Sequence, residues 1–98
     1  MSKPKQSCWI VTYDVVNDKR RNKVAALMED YGIRIQYSVF ECILTHTELK
    51  CLRDKLTPLY DATEDSIRFY PLCSDCATNV IRFGKQACFE NQAHAFVL

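Results

Sequence analysis

Asp14 closes a run of strand-forming residues, Cys8-Trp9-Ile10-Val11-Thr12-Tyr13, although strands are depleted in aspartate. A carboxylate in that position has two uses. It bonds the N–H groups of the loop that follows, as aspartates in turns do, or it binds a hard divalent cation. Mg2+ is held by one or two carboxylates and fills its shell with water and phosphate oxygens. One carboxylate is a thin ligand set, and a two-fold dimer would supply two. Asp18-Lys19-Arg20-Arg21-Asn22-Lys23 then places four bases within six residues at the start of a helix. Cations there oppose the helix dipole, so contact with phosphates explains them better than helix stability does. A solvated helix face is the plainer reading.

Two further groups carry potential chemistry. Arg34, Gln36, Ser38 and Phe40 share one strand parity. A guanidinium beside an exposed aromatic grips phosphate and stacks on a base; with Phe40 in the core, the same residues make an ordinary sheet surface. Cys73-Ser74-Asp75-Cys76 has the spacing of a metal-ligand or redox pair. A structural zinc site needs a second ligand pair; none is evident, and a turn with two thiols is the simpler expectation. His46 falls in a helix cap and His94 in the tail, so neither is assigned as a general base.

The elements that must position these residues follow from periodicity. Residues 8–15 are β-branched and aromatic, which predicts a first strand. Asp18 is expected to cap a helix whose Val24, Leu27, Met28 and Tyr31 lie on one face, with Gly32 as its C-terminal stop. Ile33 to Leu44 predicts two strands, or one bent at Ser38 to Glu41 through a tight hairpin or bulge. Thr45-His46-Thr47-Glu48 matches a capping box. It opens a helix lined by Leu49, Leu52, Leu56 and Leu59, and Pro58 ends its regular part near Thr57. Asp61 to Asp65 reads as a polar loop, Ser66 to Leu72 as a strand, Cys73 to Thr78 as a turn and Asn79 to Phe83 as a short strand. The order β, α, β-β, α, β predicts an α+β, ferredoxin-like fold with an antiparallel sheet, two helices on one face and an extra short C-terminal strand. A single domain over 1–98 is expected, with 85–98 a tail docking on a dimer or partner through its apolar end, His94 to Leu98.

Composition bounds the rest. Ninety-eight residues, 48% hydrophobic and 26% charged with two Gly and three Pro, make one ordinary globular domain and exclude a multidomain enzyme or disordered chain. The net charge is +1, so the overall field does not announce a nucleic-acid partner. Residues 1–34 nevertheless hold seven bases against four acids, compatible with one face meeting phosphates. No apolar run approaches the roughly 18 residues that span a bilayer, and no signal-peptide apolar core stands at the N-terminus. A cytoplasmic protein with no membrane association is expected, its six cysteines reduced by default. Cys8 and Cys42 read as small core residues.

Tyr13-Asp14-Val15, the basic helix start Arg20-Arg21-Asn22-Lys23-Val24, and Tyr31-Gly32-Ile33-Arg34-Ile35-Gln36-Tyr37-Ser38-Val39-Phe40-Glu41 closely resemble the CRISPR-associated protein two family, the small subunit of spacer acquisition. Gln-x-Ser-Val-Phe-Glu is the specific part. Arg68-Phe69-Tyr70-Pro71-Leu72-Cys73 and Cys76 extend the likeness from about residue 8 to Gly84. The resemblance implies a homodimer whose first strands bring two Asp14 carboxylates together to share Mg2+, with Mn2+ as a substitute. It implies a metal-dependent endonuclease acting on single-stranded RNA or double-stranded DNA, or a non-catalytic DNA-binding scaffold bridging dimers of the larger CRISPR integrase subunit. By the same resemblance Asp14 is the metal ligand, Tyr13 shapes the site, Ser38 and Phe40 line the active cleft, and Arg21 and Arg34 bind phosphate. Lys19, Arg20 and Lys23 join them as nucleic-acid contacts from the basic helix start. Lys23 stands where some members carry Arg, which keeps the charge and loses the bidentate fork. A metal-free ferredoxin-like RNA-binding module is the weaker alternative, because the strands lack the aromatic pair on which such modules stack bases.

Overall fold

The computed structural model describes residues 5–81 and 83–84. β1 (Gln6–Asp14) leads to α1 (Asp18–Glu29), then to the hairpin of β2 (Gly32–Gln36) and β3 (Val39–Thr45). α2 (His46–Leu56) follows, runs into a 3-10 turn at Thr57–Leu59, and is succeeded by β4 (Ser66–Leu72) and the short α3 (Ser74–Thr78). The strands stand in the order β2-β3-β1-β4, and every neighbouring pair is antiparallel. That is the ferredoxin-like arrangement the element order predicts.

Alternation along β1 decides what each face does. Trp9, Val11 and Tyr13 point into a core that also takes Phe40, Cys42 and Leu44 of β3, Val24 and Met28 of α1, and Leu52 and Leu56 of α2. Both long helices therefore cover one face. Cys8, Ile10, Thr12 and Asp14 point to the other, together with their register partners Ile43, Glu41 and Val39 on β3 and Leu72, Tyr70, Arg68 and Ser66 on β4. Among the described residues, only α3 reaches that open face, where Ala77 packs on Cys8 with Ile43 and Leu72 alongside.

Local chemistry accounts for the boundaries, with several departures from expectation. Asn17, not Asp18, caps α1: its side chain accepts from the Arg20 N–H at 3.0 Å. Asp18 is the first helical residue and bonds Arg21 instead. Gly32 is not the stop of α1 either, since Asp30 caps the helix in a right-handed conformation. Gly32 opens β2, where a Cβ would press into the Glu41 carbonyl and the Cys42 sulfur. Close approach of two strands requires the glycine there.

The β2–β3 connection is Tyr37–Ser38, with Gln36 facing Val39 and an irregularity between Arg34 and Gln36. The bend expected at Ser38 to Glu41 thus lies earlier, and Phe40 becomes an interior strand residue. α2 keeps its capping box, Thr45 N–H donating to Glu48 Oε1 at 2.8 Å and Glu48 N–H to Thr45 Oγ1 at 3.1 Å, and Pro58 sits in the 3-10 turn. Residues 74–78 form a helical turn with Cys73 as its cap, where a simple turn was expected. The short strand expected over 79–83 is not formed among the described residues of that stretch. The tail 85–98, expected to dock on a partner, lies outside the described residues. Among them, no helix is long and apolar enough to cross a membrane.

Candidate functional site

The end of β1, the start of α1, the Tyr37–Ser38 turn and the loop preceding β4 meet at one end of the sheet. Asp14 faces Ser66 across β1 and β4 and is solvent-exposed. Among the described residues its carboxylate enters no ion pair or side-chain hydrogen bond. The turn-residue role open to it from sequence is filled by another acid.

That acid is Asp65, whose side chain is fully buried. Its Oδ1 accepts from the Val16 N–H at 3.0 Å and from Arg20 at 3.2 Å, and its Oδ2 accepts from Arg20 Nε at 2.9 Å and from the Asp61 N–H at 2.8 Å. The Arg20 guanidinium, followed by the two backbone donors, holds this carboxyl well below the usual carboxylate range. Arg20 also pairs with Glu64 at 2.9 Å, and Arg21 donates to the carbonyls of Val15 and Val16 at 3.2 and 3.3 Å and to Asp18. Two arginines and one buried aspartate thereby fasten residues 15–17, the turn that leaves Asp14.

The basic helix start is therefore two populations. Arg20 and Arg21 spend their donors within the chain, and the acids 61–65 explain why cations are tolerated at that helix end. Arg20, expected to meet nucleic acid, is a structural member of the turn. Lys19 and Lys23 are exposed. Arg34 is exposed as well, 3.5 Å from Glu29 and with its guanidinium carbon 5.3 Å from the Phe40 ring centre.

Of Ser38 and Phe40, expected to line an active cleft, and Tyr13, expected to shape the site, only Ser38 reaches the surface. Phe40 is 0% exposed, so its ring is core and cannot stack on a base; the bend at Tyr37–Ser38 sets the parity that buries it. Tyr13 stacks on Phe40 at 6.1 Å between ring centres, donates its hydroxyl to the Tyr37 carbonyl at 3.4 Å, and is buried. Burial raises its pKa, which keeps the phenol neutral. Ser38 is half-buried in the turn, and its carbonyl accepts from the Tyr13 N–H at 3.1 Å. The trio supports the strand end on which Asp14 is presented. Sequence reasoning missed Asp65 and also Tyr37, which is 71% exposed at the same end. The acid run 61–65 opposite the base run 19–23 was the available signal for Asp65, and a separation of 45 residues from Arg20 hid the pairing.

Among the described residues, no three His, Cys, Asp or Glu gather to hold a metal ion. Among the described residues at this end of the sheet, Asp14 is the carboxylate left without a protein partner, a hard oxygen donor of the kind Mg2+ takes as part of a shared set. His46 opens α2 at the opposite end of the sheet, where Thr45 faces Gln6, roughly 25 Å along the strand. A recess of about 250 Å3 lined by Arg53, Leu56, Thr57, Tyr60, Ile67 and Phe69 lies on the helix side, away from Asp14.

Comparison with known proteins converges on one family. The profile of CRISPR associated protein Cas2 matches residues 7–80. The CRISPR-associated endoribonuclease Cas2 3 of Synechocystis sp. is 44% identical over 77 residues, covering 79% of this chain and 84% of that one. The crystal structure of Streptococcus pyogenes Cas2 superposes with a TM-score of 0.69 at 41% identity, over 79% of this chain and 99% of that one. A chain of a partial Cas6-RT-Cas1–Cas2 complex superposes with a TM-score of 0.66 at 30% identity, over 78% and 89%.

Proposed function

The chain belongs to the CRISPR-associated Cas2 family, and we propose that it serves CRISPR spacer acquisition as a homodimeric, Mg2+-dependent endonuclease for single-stranded RNA or double-stranded DNA, in complex with the CRISPR integrase subunit. One observation carries the reading. Asp14 shares a sheet face with the half-buried Ile10 and Val39, set among Thr12, Glu41 and Arg68, and neither α1 nor α2 covers this face, while α3 packs only at its Cys8 and Ile43 end. A second copy docking there buries apolar area and contributes the second Asp14 to the same interface.

Two facing carboxylates would hold Mg2+, with Mn2+ able to replace it. When bound, such a cation polarises a bridging phosphate and lowers the pKa of a bound water. The chain supplies the remainder. Asp65, Arg20 and Arg21 hold the turn after Asp14 in place, and the neutral Tyr13 phenol ties the hairpin to β1. Lys19, Lys23 and Arg34 meet the phosphates of the strand.

A scaffold role is the second reading, favoured by the absence of a placed general base among the described residues. In that account the exposed cations bind duplex DNA without sequence preference, and the dimer spaces the integrase sites. The name of the Synechocystis relative supports the nuclease reading, and the composition of the Cas1–Cas2 complex supports the integrase partner.

Cleavage of labelled single-stranded RNA and duplex DNA by preparations matched for dimer content separates the two. Activity with Mg2+ or Mn2+ that disappears with chelator and in Asp14→Ala supports the nuclease. Equal cleavage by both proteins, or none by either, leaves the scaffold.

A further inference from the structure

Cys73 and Cys76 take no part in the site at Asp14, and the structure gives them a relation their spacing alone does not. Both are exposed. The Cys73 sulfur accepts the Cys76 N–H at 3.3 Å, and the turn between them is closed by the Ala77 N–H on the Cys73 carbonyl at 2.9 Å. The two thiols therefore stand side by side on a fixed turn, and the turn is anchored through Ala77 against Cys8 of β1. A second thiol or imidazole pair that would complete a structural zinc site is absent among the described residues.

We propose that Cys73 and Cys76 form a redox-active dithiol that is converted to an intramolecular disulfide by low-molecular-weight disulfides. The Cys73 thiolate attacks a disulfide R–S–S–R, giving a mixed disulfide and releasing one RS−. Cys76 then loses its proton and attacks the Cys73 sulfur, forming the internal S–S bond and releasing the second RS−. The protein gives up two electrons and two protons, and R–S–S–R becomes two thiols. The direction of attack follows from the hydrogen bonding: the Cys76 side chain and N–H stabilise a thiolate on Cys73 and lower its pKa, while the same thiolate raises that of Cys76. A bridge with two residues between its cysteines closes a small, exposed ring, the kind of disulfide that reduces readily and so cycles.

The other described cysteines are internal controls. Cys51 is exposed on α2. Cys8 and Cys42 are buried, and burial pushes the Cys42 thiol up to about 12, which leaves it unreactive.

The full chain is incubated with oxidised glutathione at graded ratios to reduced glutathione, quenched in acid, alkylated and mapped by peptide mass. The expected result is joint loss of alkylation at Cys73 and Cys76 with formation of one internal disulfide, while Cys51 still alkylates. Dithiothreitol reverses it. Cys76→Ser accumulates glutathione on Cys73, whose sulfur keeps the N–H donor of residue 76, and Cys73→Ser reacts at Cys76 more slowly, because that sulfur has no such donor to favour its thiolate. The proposal is overturned if Cys51 reacts as fast as Cys73, if both thiols of the pair are capped singly with no internal bond, or if the two serine variants react alike. The reaction requires neither metal nor nucleic acid, so its outcome is independent of the nuclease reading.

Discussion

Phe40→Ala separates a residue that meets substrate from one that holds up the site. The ring is wholly excluded from solvent, faces Val11 across β1 and Arg34 across β2, and stacks on Tyr13. Truncating such a ring costs about 3–5 kcal/mol. A domain of this size holds only about 5–15 kcal/mol in total. At about 4–8 °C per kcal/mol the melting temperature should fall by roughly 12–40 °C. Phe40→Leu refills much of the volume and should cost about 1–2 kcal/mol. The assay is thermal unfolding by circular dichroism at matched protein concentration, because association makes the midpoint concentration-dependent. Nuclease activity is measured below each midpoint. The account expects activity to follow the folded fraction, with Phe40→Leu near wild type. An Ala variant that melts within a degree or two of wild type yet loses cleavage would refute it and return the ring to the substrate surface.

Asp65→Asn should lower stability at neutral pH and flatten its acid dependence. The native carboxyl resists protonation below its ordinary value of 3.8, so its contribution is full above that pH and is lost as pH falls below it; acid titrations of both proteins by fluorescence check this. Gly32→Ala drives a methyl into the Glu41 carbonyl and the Cys42 sulfur and should destabilise by about 1–3 kcal/mol, read by urea unfolding. Replacing Lys19 and Lys23 together by Ala should weaken duplex binding and reduce the slope of log affinity against log salt by up to about 1.8, measured by fluorescence anisotropy. The same assay on Arg20→Ala should report a loss of folded protein before any change in slope.

The fold was legible because its signals are local. The alternation from Cys8 to Tyr13, the leucine spacing of α2 and the Thr45–Glu48 box each act within one turn or one strand, and each stands where expected. What was hidden depended on tertiary approach. Gly32 reads as a helix stop until Glu41 and Cys42 come against it, and Arg20 reads as a phosphate contact until Asp65 arrives from 45 residues away. Phe40 turned on a shift of the hairpin that its sequence, lacking a turn dipeptide, did not mark. Asp14 stood out from residue type alone, since a strand does not choose an aspartate for its own stability.

The pairing of two Asp14 carboxylates on one cation fixes a metal stoichiometry. Mn2+ is titrated into wild type and Asp14→Asn, followed by electron paramagnetic resonance, with the mass of the assembly measured in the same solutions. One bound Mn2+ is expected for every two wild-type chains and none of that class in the variant, which remains dimeric. One Mn2+ per chain, or binding that survives in Asp14→Asn, would contradict a metal shared between paired Asp14 carboxylates.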